Sequence, residues 1–173
     1  MHIREIKIGD ERQLLELIQE VENHSEYMLF EPGERHATIE SQRKMIEAMV
    51  KDENSTMLVA EDKGKLVGYL LARGSLANRT KHSIYLVIGI RKEYRGQGIG
   101  MILFTEIKKW SLERKVHRLE LTVAVENLAG IRLYQKMGYE VEGRKRDSLF
   151  IAGRYIDEYY MSKLIGAQEG EVQ

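Results

Sequence analysis

A short glycine-rich segment near the middle of the chain has the residue types and spacing that bind an anion. It consists of Arg95, Gly96, Gln97, Gly98, Ile99 and Gly100. Because alternate positions carry no side chain, backbone N–H groups can approach an anion closely, and a following helix N-terminus adds partial positive charge. The Arg95 guanidinium adds a full charge and can donate to two phosphate oxygens at once. The segment therefore predicts a phosphate-binding loop.

The segments on either side of this loop predict the elements that hold it. Residues 83–90 form a short apolar run rich in β-branched side chains, which is typical of a buried strand. Residues 101–112 place Leu103, Ile107 and Trp110 at helical spacing, with lysines between them. The order of strand, loop and helix places the loop at a helix N-terminus, where a phosphate binds well.

Two common phosphate-binding motifs do not fit this loop. A P-loop requires Lys and then Ser or Thr after its last glycine, whereas Met101 and Ile102 follow Gly100. The dinucleotide fingerprint fails because its third glycine comes one residue early here. The loop instead resembles the R/Q-x-x-G-x-G/A signature of the GNAT superfamily of N-acetyltransferases, with Arg95 and Gly98 before Gly100. In that family the signature holds the pyrophosphate of acetyl-coenzyme A (acetyl-CoA). The alternative is a glycine turn that only caps a helix.

A second segment resembles the same family. Residues 127–139 are similar to its N-x-x-A-x-x-L-Y-x-K-x-G-F element, with Gly130 in place of the usual alanine and Tyr139 in place of phenylalanine. Asn127 is a good helix N-cap, and Tyr134, seven residues later, lies on the same side of the predicted helix. Taken alone, these two residues are explained by capping and core packing. Two motifs in the expected order make the resemblance specific.

The resemblance covers residues 55–163 and implies an α/β fold of the α+β type. It implies a mixed, mostly antiparallel twisted sheet of about seven strands, flanked by four helices. We expect a single domain over residues 1–165 and a frayed tail over residues 166–173.

Hydrophobic periodicity and turn residues predict the other elements. The further strands are predicted over residues 3–8, 56–61, 65–73, 118–124, 139–146 and 148–164. Asp10 is expected to cap the first helix, and a second helix is expected over residues 37–50. The inner face of the first helix is predicted to carry Leu14, Leu15, Ile18 and Val21. Alternation places four residues on one face of the last strand, interpreted as core and cross-strand packing: Tyr155, Asp157, Tyr159 and Met161.

The resemblance also implies how acetyl-CoA binds. In the family, the strand before the loop parts from its neighbour and pantetheine lies in the gap. Gly89 is the expected site of a bulge that separates the strands, although a strand glycine can also serve close packing alone. The backbone of Ile88 and Ile90 is expected to pair with pantetheine, and the Asn127 side chain to bond its amides. Further contacts are expected from Arg95, Gly96, Gln97, Gly98, Ile99, Gly100, Met101, Ala129 and Tyr134.

By the same resemblance, an amine takes the acetyl group directly in a ternary complex, and a strand N–H stabilises the oxyanion. Tyr134 is the expected general acid. The base is open: Glu31 is the first candidate, as base or acceptor-binding residue, and Glu26 and Glu120 are alternatives. For each of the three, a solvated or ion-paired surface role is the favoured explanation. Basic residues 144–146 could hold an acceptor carboxylate, or form a solvated strand edge.

Composition excludes several other classes of protein. The chain has 173 residues, is 43% hydrophobic and has a formal net charge of zero, so no extended nucleic-acid footprint is expected. The absence of cysteine excludes disulfides and an acyl-cysteine intermediate. The five histidines lack ligand-like spacing, so no metal is expected. No apolar stretch or leader pattern predicts a membrane segment or export, so we expect a cytoplasmic protein.

Two functional hypotheses follow. The first is an acetyl-CoA-dependent N-acetyltransferase that acts on a small amine, an amino acid or a protein N-terminus. The second is a non-catalytic sensor that binds acyl-CoA. The pairing of Tyr134 with Asn127 favours the enzyme, because a sensor needs no proton donor. A homodimer is a further expectation from the family.

Overall fold

Seven strands form one mixed sheet in the computed structural model of the protein, which describes residues 1–166. In chain order the elements are β1 (His2–Glu5), α1 (Glu11–Asn23), α2 (Ile39–Val50), β2 (Thr56–Asp62), β3 (Lys65–Gly74), β4 (Ser83–Ile90), a 3-10 helix (Lys92–Tyr94), α3 (Ile99–Glu113), β5 (Arg118–Ala124), α4 (Leu128–Lys136), β6 (Glu140–Ile151) and β7 (Arg154–Leu164). Except for Gly166, the predicted tail over residues 166–173 lies outside the described residues.

The strand order is β1-β2-β3-β4-β5-β7-β6. Every neighbouring pair is antiparallel except β4 and β5, which are parallel. With four α-helices against this sheet, the predicted fold class is confirmed.

Two apolar clusters pack on opposite faces of the sheet, and β2 contributes to both. Its alternation sends Met57 and Val59 towards α1 and α2, and Leu58 and Ala60 towards α3. The sheet is therefore covered on both faces around β2 to β4. This burial fixes the position of β4, which carries part of the site.

The inner face of α1 differs from the prediction at one position. Leu17 is fully buried with Leu14, Ile18 and Val21, whereas Leu15 is only partly buried. The prediction for Leu15 was wrong because a helix that buries Leu14 next buries the residues three, four and seven positions later.

The start of the chain also differs from the prediction. The strand predicted over residues 3–8 ends at Glu5, and the Asp10 side chain does not cap α1. Its carboxylate instead accepts hydrogen bonds from the Lys7 N–H at 2.9 Å and from the Arg4 guanidinium at 2.7 and 3.0 Å. These bonds close a turn that ends β1 early.

The boundary between the last two strands was predicted wrongly. The turn lies at Ala152 and Gly153, both with positive φ, and not at Asp147. Asp147 also has a positive φ of 49°, but it lies in a bulge of β6, and its N–H donates to Asp157 at 2.8 Å. Residue types that adopt positive φ are typical of turns, so the local sequence does not distinguish this bulge from a turn.

The predicted core and cross-strand packing of the last strand is confirmed, with core contacts in its second half and contacts to β6 in its first half. Met161 is buried and Tyr159 packs against the core. Tyr155 is 68% exposed and stacks on Phe150, and Asp157 accepts from Arg144.

Candidate active site

A cavity opens where β4 and β5 part. The two strands pair only at Ser83, Ile84 and Tyr85, opposite residues 118–120. Beyond Tyr85 they run on to Ile90 and Ala124, and no pairing joins those parts of the described chain. The gap contributes to a cavity of about 1140 Å³. This volume is large enough for a cofactor and an acceptor together.

Gly89 does not produce this gap. The register between β3 and β4 is unbroken from Gly74 and Ile84 to Gly68 and Ile90, so the predicted bulge at Gly89 is wrong. A Cβ at Gly89 would lie 2.5 Å from Cε1 of Tyr69 and 2.9 Å from a Val21 methyl group. The glycine is needed for the close approach of the buried Tyr69 ring.

Replacing Gly89 by alanine is expected to lower the free energy of unfolding by about 1–3 kcal/mol, because the new methyl group overpacks against a rigid ring. The control is Gly143→Ala, a strand glycine whose Cβ would meet only Tyr160, at 3.9 Å. Urea unfolding of both variants checks this. Equal stability of the two would show that Tyr69 can move aside.

Hydrogen bonding shows which backbone groups of β4 face the gap. The Arg91 N–H donates to the Val67 carbonyl at 2.9 Å, so odd-numbered residues here bond to β3. Alternation turns the N–H and C=O of Ile88 and Ile90 to the opposite side. The Ile90 carbonyl accepts from Nε of Arg95 at 3.1 Å, which agrees with this direction. The backbone polar groups of Ile88 therefore face the space between the strands.

The glycine loop leads directly into the N-terminus of α3. Gly96 and Gly98 have φ of 74° and 83°, and Gly98 is the N-cap residue without a capping side chain. A Cβ at Gly100 would lie 2.8 Å from a Leu133 methyl group, so α3 starts in close contact with α4. Open N–H groups at a helix N-terminus, unobstructed by side chains, suit a pyrophosphate.

The predicted cofactor-binding residues lie around this one cavity, with a single exception. The lining includes Ile88, Gly89, Ile90, Arg95, Gly96, Gly98, Ile99, Gly100, Met101, Asn127, Ala129 and Tyr134. Gln97 is not among the lining residues, and its side chain donates to the Glu93 carbonyl at 2.9 Å. Arg95 also donates to the His24 carbonyl at 3.0 Å, which links the loop to the end of α1.

Asn127 and Tyr134 lie at the two ends of α4 on the cavity wall. Oδ1 of Asn127 accepts from the Gly130 N–H at 3.0 Å and caps the helix, and the amide nitrogen of the same side chain can donate to a ligand. Tyr134 is 8% exposed and packs edge-on against Phe104. Burial raises the pKa of Tyr134 to about 12. Its hydroxyl therefore keeps its proton at neutral pH.

Two carboxylates line the cavity in the described part of the chain, Glu26 and Glu158. Glu31 and Glu120 are not among the lining residues. The Glu31 N–H donates to Glu34, and the Glu120 carboxylate accepts from Arg118 at 2.7 Å. Of the candidate bases considered from the sequence, only Glu26 borders the cavity.

Sequence reasoning missed Glu158 as a site residue. Its carboxylate accepts from the Ser148 hydroxyl, and Nζ of Lys145 lies 3.8 Å away. Of basic residues 144–146, only Lys145 lines the cavity, and Arg144 pairs with Asp157. Strand alternation could place Glu158 on a face, but not identify that face as the one bordering the cavity.

Residues 1–166 contain no helix long and apolar enough to cross a membrane. Within the same residues there is no group of three or more His, Cys, Asp or Glu that could hold a metal ion.

Comparison with known proteins gives the family. The profile of the acetyltransferase (GNAT) family matches residues 15–139. The chain belongs to this family.

Individual relatives agree with this assignment. An L-amino acid N-acetyltransferase of Escherichia coli is 32% identical over 108 residues, covering 62% of this chain and 67% of the relative. A solved GNAT acetyltransferase of Streptococcus pneumoniae has a TM-score of 0.91 at 29% identity, covering 95% of this chain and 99% of that one. A Salmonella typhimurium protein solved with its cofactor acetyl-CoA shares the fold, with a TM-score of 0.85 at 18% identity, covering 98% and 96%. The chain is an N-acetyltransferase, and its acetyl donor is acetyl-CoA.

The glycine loop gives a test of cofactor binding. Gly98→Ala is expected to weaken acetyl-CoA binding at least tenfold, because a side chain at positive φ strains the loop and obstructs the approach of phosphate. Gly64 is the matched control: its φ is 80°, a Cβ there would meet nothing within 4 Å, and it does not line the cavity. Calorimetric titration of both alanine variants measures the effect. Equal affinities would contradict a role of this loop in binding.

Proposed function

We propose that this N-acetyltransferase acetylates a primary amine directly, with acetyl-CoA and the amine bound at the same time. The observation that carries the proposal is the gap between β4 and β5, which places the backbone of Ile88 and the hydroxyl-bearing side chain of Tyr134 around one cavity. Acetyl-CoA, when bound, supplies the acetyl group as an activated thioester. The chain has no cysteine, so a covalent acyl-cysteine is excluded.

The residues present fit this cofactor. The loop from Gly96 to Gly100 and the N-terminus of α3 would hold the pyrophosphate. The backbone of Ile88 and Ile90 and the amide nitrogen of Asn127 would hold the amide groups of pantetheine. This fit rests on glycines that leave the backbone uncovered and on polar main-chain groups turned into the gap.

The Ile88 N–H is the proposed donor to the acetyl carbonyl oxygen as negative charge develops there. Its direction is held by the pairing of β4 with β3, so little reorganisation is needed during the reaction. Tyr134 is the proposed proton donor to the leaving sulfur. Its raised pKa, about 12, keeps the donor protonated throughout the working pH range.

The acceptor is proposed to be an amine that also carries a carboxylate, such as an amino acid. The cavity lining contains both charge signs: Glu26 and Glu158 can bind an ammonium group, and Arg73 can bind a carboxylate. Lys145 also lines the cavity, where it pairs with Glu158 at 3.8 Å. The Escherichia coli relative named above is an L-amino acid N-acetyltransferase, which supports the same class.

Glu158 is the proposed acceptor of the amine proton. Glu158→Gln can keep a bond to Ser148 but removes the basic oxygen, so kcat/KM for the amine is expected to fall at least tenfold at neutral pH. The loss should shrink as pH rises, because a larger fraction of the amine is then deprotonated without help. Initial rates from pH 6 to 10 measure this. A pH-dependent loss in Glu26→Gln and none in Glu158→Gln would assign the proton to Glu26.

Initial-rate kinetics test the proposed function. Acetyl-CoA and a panel of amino acids are varied together, with diamines lacking a carboxylate as the comparison. Direct transfer predicts intersecting reciprocal plots and higher kcat/KM for amino acids. Parallel plots would indicate a covalent acetyl-enzyme. Acetyl-CoA binding without thiol release on any amine would favour the sensor.

A further inference from the structure

A second, smaller cavity lies behind the active site, between α3, β5 and the end of α4. Its volume is about 210 Å³, equivalent to about seven water molecules. The cavity is lined by Phe104, Thr105, Lys108, Leu119, Met137, Tyr139 and Lys163. None of these except Phe104 lines the larger cavity. The two cavities are therefore separate spaces on either side of the Phe104 ring.

Tyr139 lines this cavity and carries a buried hydroxyl that lacks a hydrogen-bond partner among the described residues. The residue is 3% exposed, and its hydroxyl has no hydrogen-bond partner in the part of the chain that the structure describes. A buried hydroxyl without a partner is costly, so a ligand that supplies an acceptor would stabilise it. Its ring is held against Phe104 at 5.4 Å, so it does not easily turn away.

Two lysines bring positive charge to the same cavity. Nζ of Lys163 donates to the Met137 carbonyl, which holds the ammonium in place over the end of α4. Burial lowers the pKa of Lys163, and the nearby charge of Lys108 lowers it further. Within residues 1–166 neither lysine forms an ion pair with a carboxylate. Two ammonium groups that repel each other favour an anion between them.

We propose that this cavity binds a small oxyanion, held by Lys108 and Lys163 and by the hydroxyl of Tyr139. The remaining lining, which includes Leu119 and Met137, offers apolar contact to a short hydrocarbon chain. A short-chain carboxylate uses both parts of the site, and inorganic phosphate uses the polar part alone. The charge of the two lysines, the unpaired hydroxyl and the apolar side chains together favour a ligand of this class.

The position of this site couples it to the reaction centre. Phe104 packs edge-on against both Tyr134 and Tyr139, at 5.6 and 5.4 Å between ring centroids. A ligand bonded to Tyr139 therefore lies one side chain away from the proposed proton donor. An anion here can modulate the enzyme without entering the cofactor cavity.

The test is a titration of the full-length protein with sodium butyrate and, separately, with inorganic phosphate. Coenzyme A is present at saturation to fill the larger cavity, and sodium chloride keeps the ionic strength constant. Methionine methyl groups labelled with ¹³C report the location: Met137 lines the smaller cavity and Met101 lines the larger one. We expect a saturable shift of the Met137 methyl signal with little change at Met101.

Two substitutions on neighbouring lysines make the test specific. Lys108→Met is expected to weaken anion binding at least tenfold, because a charge-assisted hydrogen bond is lost. Lys109→Met removes the same charge from the next position, where Lys109 pairs with Glu106 at 2.7 Å, and should change affinity less than twofold. Tyr139→Phe keeps the ring and should weaken binding severalfold.

The outcomes decide the proposal. Saturation by butyrate alone identifies a carboxylate site, saturation by phosphate alone identifies a phosphate site, and either supports the proposal. No saturable Met137 shift with either anion up to tens of millimolar would overturn it. Equal losses in Lys108→Met and Lys109→Met would also overturn it, since only general charge would then matter. None of these results depends on the identity of the acetyl acceptor.

Discussion

Tyr134→Phe should lower kcat by about a hundredfold to ten-thousandfold, the usual range for loss of a positioned proton donor. The variant keeps the ring that packs against Phe104 at 5.6 Å, so acetyl-CoA binding should stay within about twofold. In the parent enzyme the pKa of Tyr134 is about 12, so no loss of rate below about pH 11 should come from its ionisation. Thiol release measured from pH 6 to 10 checks both statements.

Tyr139→Phe is the matched control for this experiment. Tyr139 is also a buried tyrosine in edge-on contact with Phe104, but it does not line the larger cavity. In buffer without added carboxylate or phosphate, this variant should retain most of the parent kcat. Full activity of Tyr134→Phe at every pH would show that another group, or water, protonates the leaving sulfur.

The second large effect is expected from the removal of one backbone N–H group, that of Ile88. Replacing Ile88 with its α-hydroxy acid analogue converts the amide to an ester and removes the N–H that faces the gap. Loss of one oxyanion donor commonly costs about a hundredfold to a thousandfold in kcat, and we expect that range here. The side chain is unchanged and β4 keeps every N–H that it donates to β3, whereas the Val87 carbonyl, which becomes part of the ester, accepts more weakly from β3. Single-turnover thiol release gives the measurement.

The adjacent residue is the control for this change. By the same alternation, the Val87 N–H faces β3, so an ester at Val87 removes a ladder hydrogen bond. That change should lower the free energy of unfolding by about 1 kcal/mol and leave kcat within a few-fold. An unaltered kcat in the Ile88 ester would exclude its N–H as the oxyanion donor.

The sequence predicted best those elements whose ends are marked by polar or turn-forming residues. The strands over residues 83–90 and 118–124 have their predicted bounds, and α4 begins after Asn127 as expected. Local rules are sufficient to predict these bounds because the flanking residues and the hydrophobic pattern indicate the same element. The glycine loop could be recognised because the spacing of its glycines is itself what leaves backbone N–H groups open to a phosphate.

Features that depend on distant partners could not be predicted. Gly89 appeared to mark a bulge, but its absent side chain accommodates Tyr69, which is twenty positions away in the chain. Glu158 was missed because alternation does not show which sheet face borders a cavity. In each case, contacts with distant parts of the chain decided between two interpretations that the local sequence supports equally.

The most direct test of the central claim mixes the enzyme rapidly with acetyl-CoA, labelled in its acetyl group, in the presence and absence of an accepting amine. Direct transfer in a ternary complex predicts that thiol is released only when the amine is present. It also predicts that no label becomes covalently attached to the protein at any time. A burst of one thiol per enzyme without an amine, with the label retained on the protein, would contradict it.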